Sequence, residues 1–280
     1  MSRMLKQALK GILSDEEISL LYGGFDIVGD IAVIKIPEAL QSRKELIGEA
    51  LIKNVKTVHT VLAQITPVSG EYRTRDLEVI FGEEKTITIY KEHGCMFKVD
   101  LAQAYFSPRL STERLRIAKL VKPGETVTNL FAGVGAYSII IAKKVPDVRV
   151  YSIDVNKAAY ELTIENIKLN KLVDRIIPIL GDARKVVIDI KGEASRVLMP
   201  LPEQSASYLD VAVSALRPPE GVIHYYTHVY SIRNNDAHIE ALKTLNNNPN
   251  LKYELISHNI VREVGPRWYQ VVLDLKTATS

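Results

Sequence analysis

Two glycines and two aspartates follow strand-like segments in the middle of the chain, and residues of these types at this spacing can bind a nucleotide. Gly133 and Gly135 lie in the loop of FAGVGAYS, directly after the apolar segment 127–130. Asp154 ends the next strand-like segment, and Asp182 follows the one after that, in PILGDAR. A glycine loop after one strand and an acid after the next make up half of a nucleotide-binding βαβ unit.

The loop lacks the features that ligands with a pyrophosphate need. A dinucleotide fingerprint has a third glycine that lets the helix pack closely on the strand, but here Tyr137 and Ser138 follow Gly135. The Gly-Lys-Ser/Thr sequence of a P-loop is also missing. S-adenosylmethionine has no phosphate and needs acceptors for its ribose hydroxyls and its adenine amine. We therefore predict Asp154 as the ribose acceptor and Asp182 as the adenine acceptor, although each could instead be a structural cap.

The elements that must position these residues alternate along the second part of the chain. Strands are predicted at 127–130, 148–153, 176–180, 195–199 and 220–226, and helices at 136–144, 157–169, 203–216 and 234–246. This alternation is typical of a parallel sheet with helices on both faces, and ligands bind at the carboxyl edge of such sheets. The last two strands, 251–260 and 267–275, have no helix between them, so we expect an antiparallel hairpin at the edge of the sheet.

Residues 1–100 have a different pattern, which predicts a smaller α+β module. Ser14 is followed by three acids and indicates the start of a short polar helix. The segment FDIVGDIAVIKIP alternates like a β-hairpin, SRKELIGEALIKNV has a helical period, and further strands follow. Ser111 or Thr112 is expected to cap the next helix, within a second domain at 101–280.

Composition places the chain among soluble globular proteins. It has 280 residues, of which 46% are hydrophobic and 25% charged, with a net charge of +3. It has no apolar run of about 18 residues, so no membrane span is predicted, and its basic start lacks the apolar core of a signal peptide. The single Cys95 cannot form an internal disulfide, which fits a cytoplasmic location. The small positive charge permits nucleic-acid binding without requiring it.

Five motifs resemble those of archaeal tRNA guanine-37 N1-methyltransferases and their wyosine-pathway relatives. They are YFSPRLSTERLRIA, NLFAGVGAYSI, SIDVNKAAYELTIENIKLNKL, IIPILGDAR and GVIHYYTH, in this order, and the resemblance covers about residues 25–275. The resemblance implies an α/β Rossmann-like class I methyltransferase domain, S-adenosylmethionine as cofactor and position 37 of tRNA, beside the anticodon, as target. It also implies that the N-terminal module grips the anticodon stem. The N1-methyltransferases have a further N-terminal domain, which we expect this chain to lack.

The resemblance also implies the site residues. Arg109, Pro200 and Pro202 correspond to catalytic positions, and the implied cofactor-binding residues are Tyr105, Phe106, Ser107, Arg109, Phe131, Gly133, Gly135, Asp154, Val155, Asp182 and Ala183. We expect Arg109 to help set the pose of the cofactor's methionine part; the alternative is an ion pair with Glu113 at i+4. No metal is implied, and the histidines of HYYTH lack the spacing of a metal site with a third ligand.

The fourth-strand motif departs from the family's pattern. In the N1-methyltransferases it is Asn-x-Pro, whereas RVLMPLPEQS has Pro200 in place of the Asn and Pro202 at the family proline. Proline has neither a side-chain acceptor nor an N–H, so it cannot hydrogen-bond the guanine edge as Asn does. Unless the substitution is harmless, the substrate is no longer guanine. Asn129, where the family often has Asp, still offers a polar group.

These departures favour one branch of the wyosine pathway. We predict methyl transfer to C7 of 4-demethylwyosine-37 in tRNA(Phe), because C7 is an electron-rich ring carbon that needs little deprotonation before attack. The segment YFSPR resembles the methyl-transferring enzymes rather than the aminocarboxypropyl branch. The alternatives are guanine-37 N1 methylation, alone or as a second activity, and aminocarboxypropyl transfer. A catalytically dead RNA-binding module and a small-molecule methyltransferase also stay open; the intact cofactor motifs argue against the first and the N-terminal module against the second.

Basic residues in both domains are candidates for RNA contacts. The predicted phosphate contacts are Arg73, Arg75 and Arg116. The C-terminal segment REVGPRWYQVV adds Arg262, Arg267 and Trp268. These residues could touch RNA, but a hairpin turn at Gly265 and Pro266 explains the same local pattern without RNA.

Overall fold

The computed structural model describes residues 2–22, 24–67, 70, 72–248 and 251–278. The chain forms two compact units, Met1–Ser111 and Thr112–Ser280. The predicted boundary at residue 100 lies inside the first unit, which therefore also contains the segment YFSPR.

The first unit is an α+β module on a four-stranded sheet with the order β1-β2-β3-β4. Its elements are α1 (Ser2–Ala8), α2 (Asp15–Leu20), β1 (Phe25–Val28), β2 (Ile31–Ile34), α3 (Lys44–Asn54), β3 (Thr60–Gln64), β4 (Leu77–Gly82), β5 (Ile87–Glu92) and β6 (Cys95–Asp100). The predicted hairpin is confirmed as β1 and β2, and β5 pairs with β6 in a separate two-stranded sheet. Ser14 caps α2 in a capping box with Glu17, as its sequence indicated.

One prediction at the end of this unit is wrong. Ser111 is the first residue of helix α4 (Ser111–Leu120) and not its cap, because the helix continues directly from a 3₁₀ turn at Pro108–Leu110. The Ser111 hydroxyl instead lies 2.9 Å from Nε2 of His93.

The second unit is built on a seven-stranded sheet. After α4 its elements are β7 (Thr126–Asn129), α5 (Ala136–Lys144), β8 (Arg149–Asp154), α6 (Lys157–Leu169), β9 (Ile176–Leu180), α7 (Ala183–Val186), β10 (Arg196–Met199), α8 (Leu209–Ala215), β11 (Glu220–Tyr230), α9 (Ala237–Lys243), β12 (Tyr253–Gly265) and β13 (Trp268–Ala278). The strand order is β12-β13-β11-β10-β7-β8-β9. The five strands β7 to β11 are parallel and have the order of a doubly wound fold. The β12–β13 hairpin is confirmed at the edge.

The apolar runs of this unit form the core that holds the strand ends in place. The α5 sequence AYSIIIA is buried from Ala136 to Ala142, so this part of the helix is covered on all sides. The structure differs from the sequence prediction in two helical segments. The helix predicted at 203–216 begins as a 3₁₀ turn at Ser205–Tyr208, and the short helix α7 was not predicted. Among the helices of the described residues, none has both the length and the apolarity to cross a membrane.

Candidate functional site

The glycine loop between β7 and α5 has a backbone that only glycine adopts easily. Gly133 and Gly135 have φ values of 58° and 80°, in the left-handed region. A Cβ atom at Gly135 would also come within 3.1 Å of Cγ2 of Thr163. Helix α6 fixes the loop, because Thr163 Oγ1 donates to the carbonyl of Gly133 at 2.9 Å and Asn166 Nδ2 donates to that of Val134 at 3.1 Å. The loop is therefore preformed and closely packed.

Asp154 lies at the carboxyl end of β8, next to this loop. Its Oδ2 accepts from the backbone N–H of Gly133 at 2.6 Å, and its Oδ1 accepts from that of Asn156 at 2.9 Å. Burial raises the pKa of Asp154 to about 6, against the opposite effect of these backbone donors. A carboxylate has about four acceptor sites, so ribose hydroxyls can add to the two backbone bonds. They would also offset the cost of burying its charge.

Asp182 follows β9 and is a helix cap, one of the two roles that its sequence position left open. It caps α7, with Oδ1 accepting from the backbone N–H of Arg184 at 2.9 Å. The same oxygen accepts from the hydroxyl of Tyr208 at 3.1 Å. The side chain of Asp182 has no other hydrogen bond within the described part of the chain, so Oδ2 is open to a donor such as an adenine amine. The cap alone does not exclude a ligand contact.

Two aromatic rings lie beside these strand ends. The Phe131 ring packs edge-on against Tyr208, with centroids 5.1 Å apart. The guanidinium of Arg184 lies over the Tyr208 ring, 3.9 Å from its centroid. Val155, directly after Asp154, exposes 37% of its surface. An exposed valine beside a half-buried acid fits the apolar and polar parts of a nucleoside.

The predicted cofactor residues of the second unit thus fit S-adenosylmethionine. Parallel strands β7, β8 and β9 bring together at one edge Phe131, Gly133, Gly135, Asp154, Val155, Asp182 and Ala183. The loop offers close backbone approach, and the two aspartates offer acceptors at separate strand ends. Asn129 is fully buried and supports the loop, since its Nδ2 donates to Ser138 Oγ at 3.2 Å.

The Pro200–Pro202 turn follows β10 at the same edge. Ser205 holds it, because its hydroxyl lies 2.9 Å from the carbonyl oxygens of both Met199 and Leu201. Neither proline offers a side-chain acceptor or an N–H. The turn can therefore shape a pocket and present carbonyl oxygens, but it cannot hydrogen-bond a base as an Asn side chain does.

A contact between a histidine and a glutamate beside this turn was not predicted from the sequence. His228, near the end of β11, has Nδ1 3.3 Å from Oε1 of Glu203. Its Nε2 is buried without a hydrogen-bond partner in the described part of the chain. No signal in HYYTH predicts this contact, because Glu203 comes from a different strand end. Within the described residues, no group of three or more His, Cys, Asp or Glu side chains is arranged to hold a metal ion.

The first unit holds the other predicted cofactor residues, Tyr105, Phe106, Ser107 and Arg109. Phe106 and Ser107 are buried, and Phe106 packs edge-on against Tyr90 with centroids 5.1 Å apart. Arg109 Nε donates to Asp26 Oδ1 at 2.7 Å.

The structure does not show the alternative that was considered for Arg109, an ion pair with Glu113. Its partner is Asp26 of β1, and the side chain of Glu113 accepts from Arg116 at 2.8 and 2.9 Å. The Arg109 side chain remains 57% exposed, so it is accessible as well as held at one end.

Arg109 belongs to a group of cations around Tyr105. The Arg73 guanidinium lies 5.2 Å from the centroid of the Tyr105 ring. Burial lowers the pKa of Arg75, and the nearby Asp26 opposes this effect. Arg73 and Arg75 thus share a site that also contains Arg109.

The structure corrects the prediction that Arg116 is the third phosphate contact. Its guanidinium is bound to Glu113 and, at 2.7 Å, to Oδ2 of Asp274. Asp274 also bonds His224 Nδ1 at 2.5 Å, and Arg196 lies 2.7 Å from the other nitrogen of that ring. Although burial alone would raise the pKa of Asp274, bonds from His224 and Arg116 hold it well below its usual range. The Arg116 side chain is 24% exposed, but two buried carboxylates, Glu113 of α4 and Asp274 of β13, already pair its charge, so it is a poor candidate for a phosphate contact.

Sequence comparisons identify relatives of both units. A sequence profile described as the TRM5/TYW2 methyltransferase domain matches residues 88–256, and one described as the TYW2 N-terminal domain matches residues 5–86. The chain is 40% identical over 254 residues to tRNA (guanine(37)-N(1))-methyltransferase Trm5b of Pyrococcus abyssi, covering 91% of this chain and 74% of that protein.

Two wyosine-pathway proteins are similar over a comparable length. Identity is 33% over 275 residues to tRNA 4-demethylwyosine(37)-methyltransferase Taw21 of Saccharolobus solfataricus, covering 97% of this chain and 99% of that protein. It is 34% over 251 residues to the tRNA(Phe) (4-demethylwyosine(37)-C(7)) aminocarboxypropyltransferase of Methanocaldococcus jannaschii, covering 89% and 96%.

Solved structures show the same fold. The complex of aTrm5 with tRNALeu superposes with a TM-score of 0.85 at 36% identity, covering 99% of this chain and 78% of that one. Pyrococcus horikoshii TYW2 in complex with MeSAdo superposes with a TM-score of 0.80 at 27% identity and full coverage of both chains.

Proposed function

Because the chain belongs to the TRM5/TYW2 methyltransferase family, we propose that it methylates C7 of 4-demethylwyosine at position 37 of tRNA(Phe). Family membership makes it a tRNA methyltransferase that uses S-adenosylmethionine. The target base and the target atom are the finer part of the proposal.

The observation that carries the proposal is Pro200. The family resemblance implies an Asn that contacts guanine at this position. Here Pro200 begins a turn that Ser205 holds in place. Guanine N1 carries a proton and is a weak nucleophile until that proton is drawn away, which requires polarisation of the base. A turn without side-chain acceptors is poorly suited to that step. C7 of the tricyclic base needs no prior deprotonation, so the loss of the Asn costs this reaction less.

Two of the similarities support the proposal of a wyosine-pathway substrate. Taw21, whose name states 4-demethylwyosine-37 methylation, is similar over nearly the whole length of both chains. The first unit matches the N-terminal domain described for TYW2. Neither similarity identifies the target atom of this chain, but both support a wyosine-pathway substrate.

The chain's own residues bind and align the reactants. Gly133 and Gly135 admit close approach of the cofactor, and Asp154 and Asp182 accept from its ribose and adenine. When bound, the cofactor would supply an electrophilic sulfonium methyl group. The new bond to C7 would form as the sulfur–carbon bond breaks, and the C7 proton would leave to solvent. The turn at Pro200–Pro202 borders the target base, which must leave the anticodon-loop stack to reach it. Much of the rate then comes from alignment.

Arg109 remains the proposed residue for the methionine part of the cofactor. It lies on the 3₁₀ turn of the first unit, where Asp26 holds it and most of its side chain is exposed. The neighbouring Tyr105, Phe106 and Ser107 are proposed cofactor contacts on the same grounds of resemblance. The first unit is proposed to grip the anticodon stem through Arg73 and Arg75.

Guanine-37 N1 methylation is the second candidate, favoured by the 40% identity to Trm5b. One experiment separates the candidates. The protein and methyl-labelled S-adenosylmethionine are incubated with tRNA(Phe) that carries guanine, 1-methylguanine or 4-demethylwyosine at position 37, and the nucleosides are identified by mass. We expect a single added methyl group, on the tricyclic base. An added aminocarboxypropyl group, or 1-methylguanosine as the main product, would overturn the proposal.

A further inference from the structure

The strands β11, β12 and β13 extend well beyond the carboxyl edge of the sheet. Tyr225 of β11 is level with Met199, the last residue of β10. β11 continues to Tyr230, which at ~3.3 Å per residue carries it about 16 Å further. There Tyr230 pairs with Trp268, and the β12–β13 turn closes the projection. This three-stranded projection therefore rises beside the strand ends that form the candidate site.

One face of the projection has aromatic and basic side chains. Residues that pair directly lie on the same face, as do alternate residues along a strand. Tyr230 pairs with Trp268, and His228 pairs with Gln270, which also pairs with Arg262. His228, Tyr230, Arg262 and Trp268 therefore share a face, and the exposed Arg267, directly before Trp268, lies near Tyr230. We call these five residues the aromatic–arginine face.

The two aromatic rings of this face are both exposed. Tyr230 and Trp268 each expose 47% of their surface, and their rings meet edge-on with centroids 5.9 Å apart. Ile232, two residues after the end of β11, exposes 74% of its surface. A solvent-exposed tryptophan beside an exposed tyrosine leaves considerable apolar surface in water, which often marks a binding site.

The charged side chains around these rings indicate what kind of partner would bind there. The exposed Arg267 and Arg233 and the half-buried Arg262 are accompanied by three acids, Glu263, Asp236 and the Glu203 that lies beside His228. Glu263 is partly satisfied, since Oε1 accepts from the backbone N–H of Arg267 at 3.0 Å. Cationic guanidinium groups interleaved with aromatic rings are the combination that binds single-stranded RNA, whose bases stack on the rings while its phosphates meet the arginines.

We propose that the aromatic–arginine face binds unpaired nucleotides of the RNA loop that flank the target base. The proposal rests on the proposed function only in taking an RNA loop as the substrate, and it does not depend on which atom is methylated. Stacking on Trp268 and Tyr230 would replace the neighbours that these nucleotides lose when the target base leaves the stack. The face would thus hold the loop open next to the strand ends.

Trp268 makes the proposal directly measurable, because it is the only tryptophan in the chain. The protein is titrated with an anticodon stem-loop RNA that carries unmodified guanine at position 37 and a dye at its end. Tryptophan emission is followed together with the anisotropy of the dye. We expect quenching of Trp268 that saturates with the anisotropy, and no such quenching by a blunt RNA duplex of equal length.

Variants test the energetic contribution of the face. Trp268→Ala and Tyr230→Ala are each expected to weaken loop binding by about tenfold, in line with base–aromatic stacking. Tyr253→Ala is the matched control, because Tyr253 is an exposed tyrosine at the opposite end of the same hairpin. Circular dichroism of each variant shows whether the hairpin still folds.

Several outcomes would overturn the proposal. One is unchanged emission when the anisotropy shows saturation, and another is equal quenching by the duplex. A third is a dimer in sedimentation that Trp268→Ala dissolves without loss of RNA binding, because the face would then bind a second copy. Quenching by the loop together with methylation at a site other than C7 would contradict the proposed function and leave this inference standing.

Discussion

At the scale of single residues, Asp154 connects ionisation with cofactor binding. Its pKa is raised to about 6 by burial, so the free protein holds a neutral acid below that pH. Hydroxyl donors bind the carboxylate better than the acid, so bound cofactor lowers this pKa. The cofactor should therefore bind more weakly as pH falls through about 6, and binding there should release protons.

Calorimetry between pH 5 and 8 checks this prediction. Asp154→Ala should lose on the order of 2–4 kcal/mol of cofactor binding at neutral pH, since two charge-assisted hydrogen bonds disappear. Asp154→Asn, which is neutral at every pH, should bind weakly with little pH dependence. An affinity that Asp154→Ala leaves unchanged would disprove its role at the ribose.

Substitution of Gly135 tests whether the loop needs both its left-handed backbone conformation and its close packing. Gly135→Ala adds strain of about 1–2 kcal/mol from its positive φ and a contact with Thr163 at 3.1 Å. Gly124 has the same φ of 80° with nothing within 4 Å of a Cβ, so Gly124→Ala is a control for strain alone. Both variants should lower the melting temperature, and only Gly135→Ala should weaken cofactor binding. Equal binding by the two variants would mean that the loop does not approach the cofactor.

The residues of the site could be predicted where their signal is local. Gly133, Gly135 and Asp154 are recognised because the loop and the strand end lie close together in sequence. Thr163 and Asn166 were missed because their bonds to the loop depend on how α6 packs. Arg116 was assigned to RNA because its sequence neighbours are basic, whereas its partner Asp274 is distant in sequence.

At the scale of elements, the buried ion pairs of Arg116 join α4 to the sheet. Arg116→Met should destabilise the protein by about 3–5 kcal/mol, because Asp274 and Glu113 would stay buried with an uncompensated charge. Lys119→Met, at the exposed end of the same helix, should change stability by less than about 0.5 kcal/mol. Urea unfolding measures both. Equal stabilities would show that the network contributes no net stability.

The order of the elements was predictable, and their ends were less so. The helix at 157–169 and the strand at 176–180 occur where their patterns indicated, because the apolar period is unbroken there. β11 is longer than its predicted range 220–226, since pairing with β13 continues to Tyr230. The start of the helix predicted at 203–216 is a 3₁₀ turn, because Ser205 bonds back to the turn after β10. Both differences come from partners outside the segment.

At the scale of the whole molecule, the salt dependence of tRNA binding reports the number of phosphate contacts. Replacing both Arg73 and Arg75 by Gln should reduce the slope of log affinity against log salt by roughly 1–2 units. Lys53→Gln is the control, because Lys53 is paired with Glu49 in the same unit. Slopes measured between low and physiological salt that do not differ from wild type would remove these arginines from the RNA contacts.

The central claim is that this tRNA methyltransferase prefers the tricyclic base to guanine, and internal competition tests it most directly. Equal amounts of tRNA(Phe) with guanine-37 and with 4-demethylwyosine-37 compete in one reaction with limiting S-adenosylmethionine. The ratio of the two methylated nucleosides gives the ratio of kcat/KM. Without the Asn at position 200, guanine should lose about 2–3 kcal/mol of transition-state stabilisation, or roughly 30- to 150-fold in rate. A product ratio near one, or an excess of 1-methylguanosine, would contradict the account.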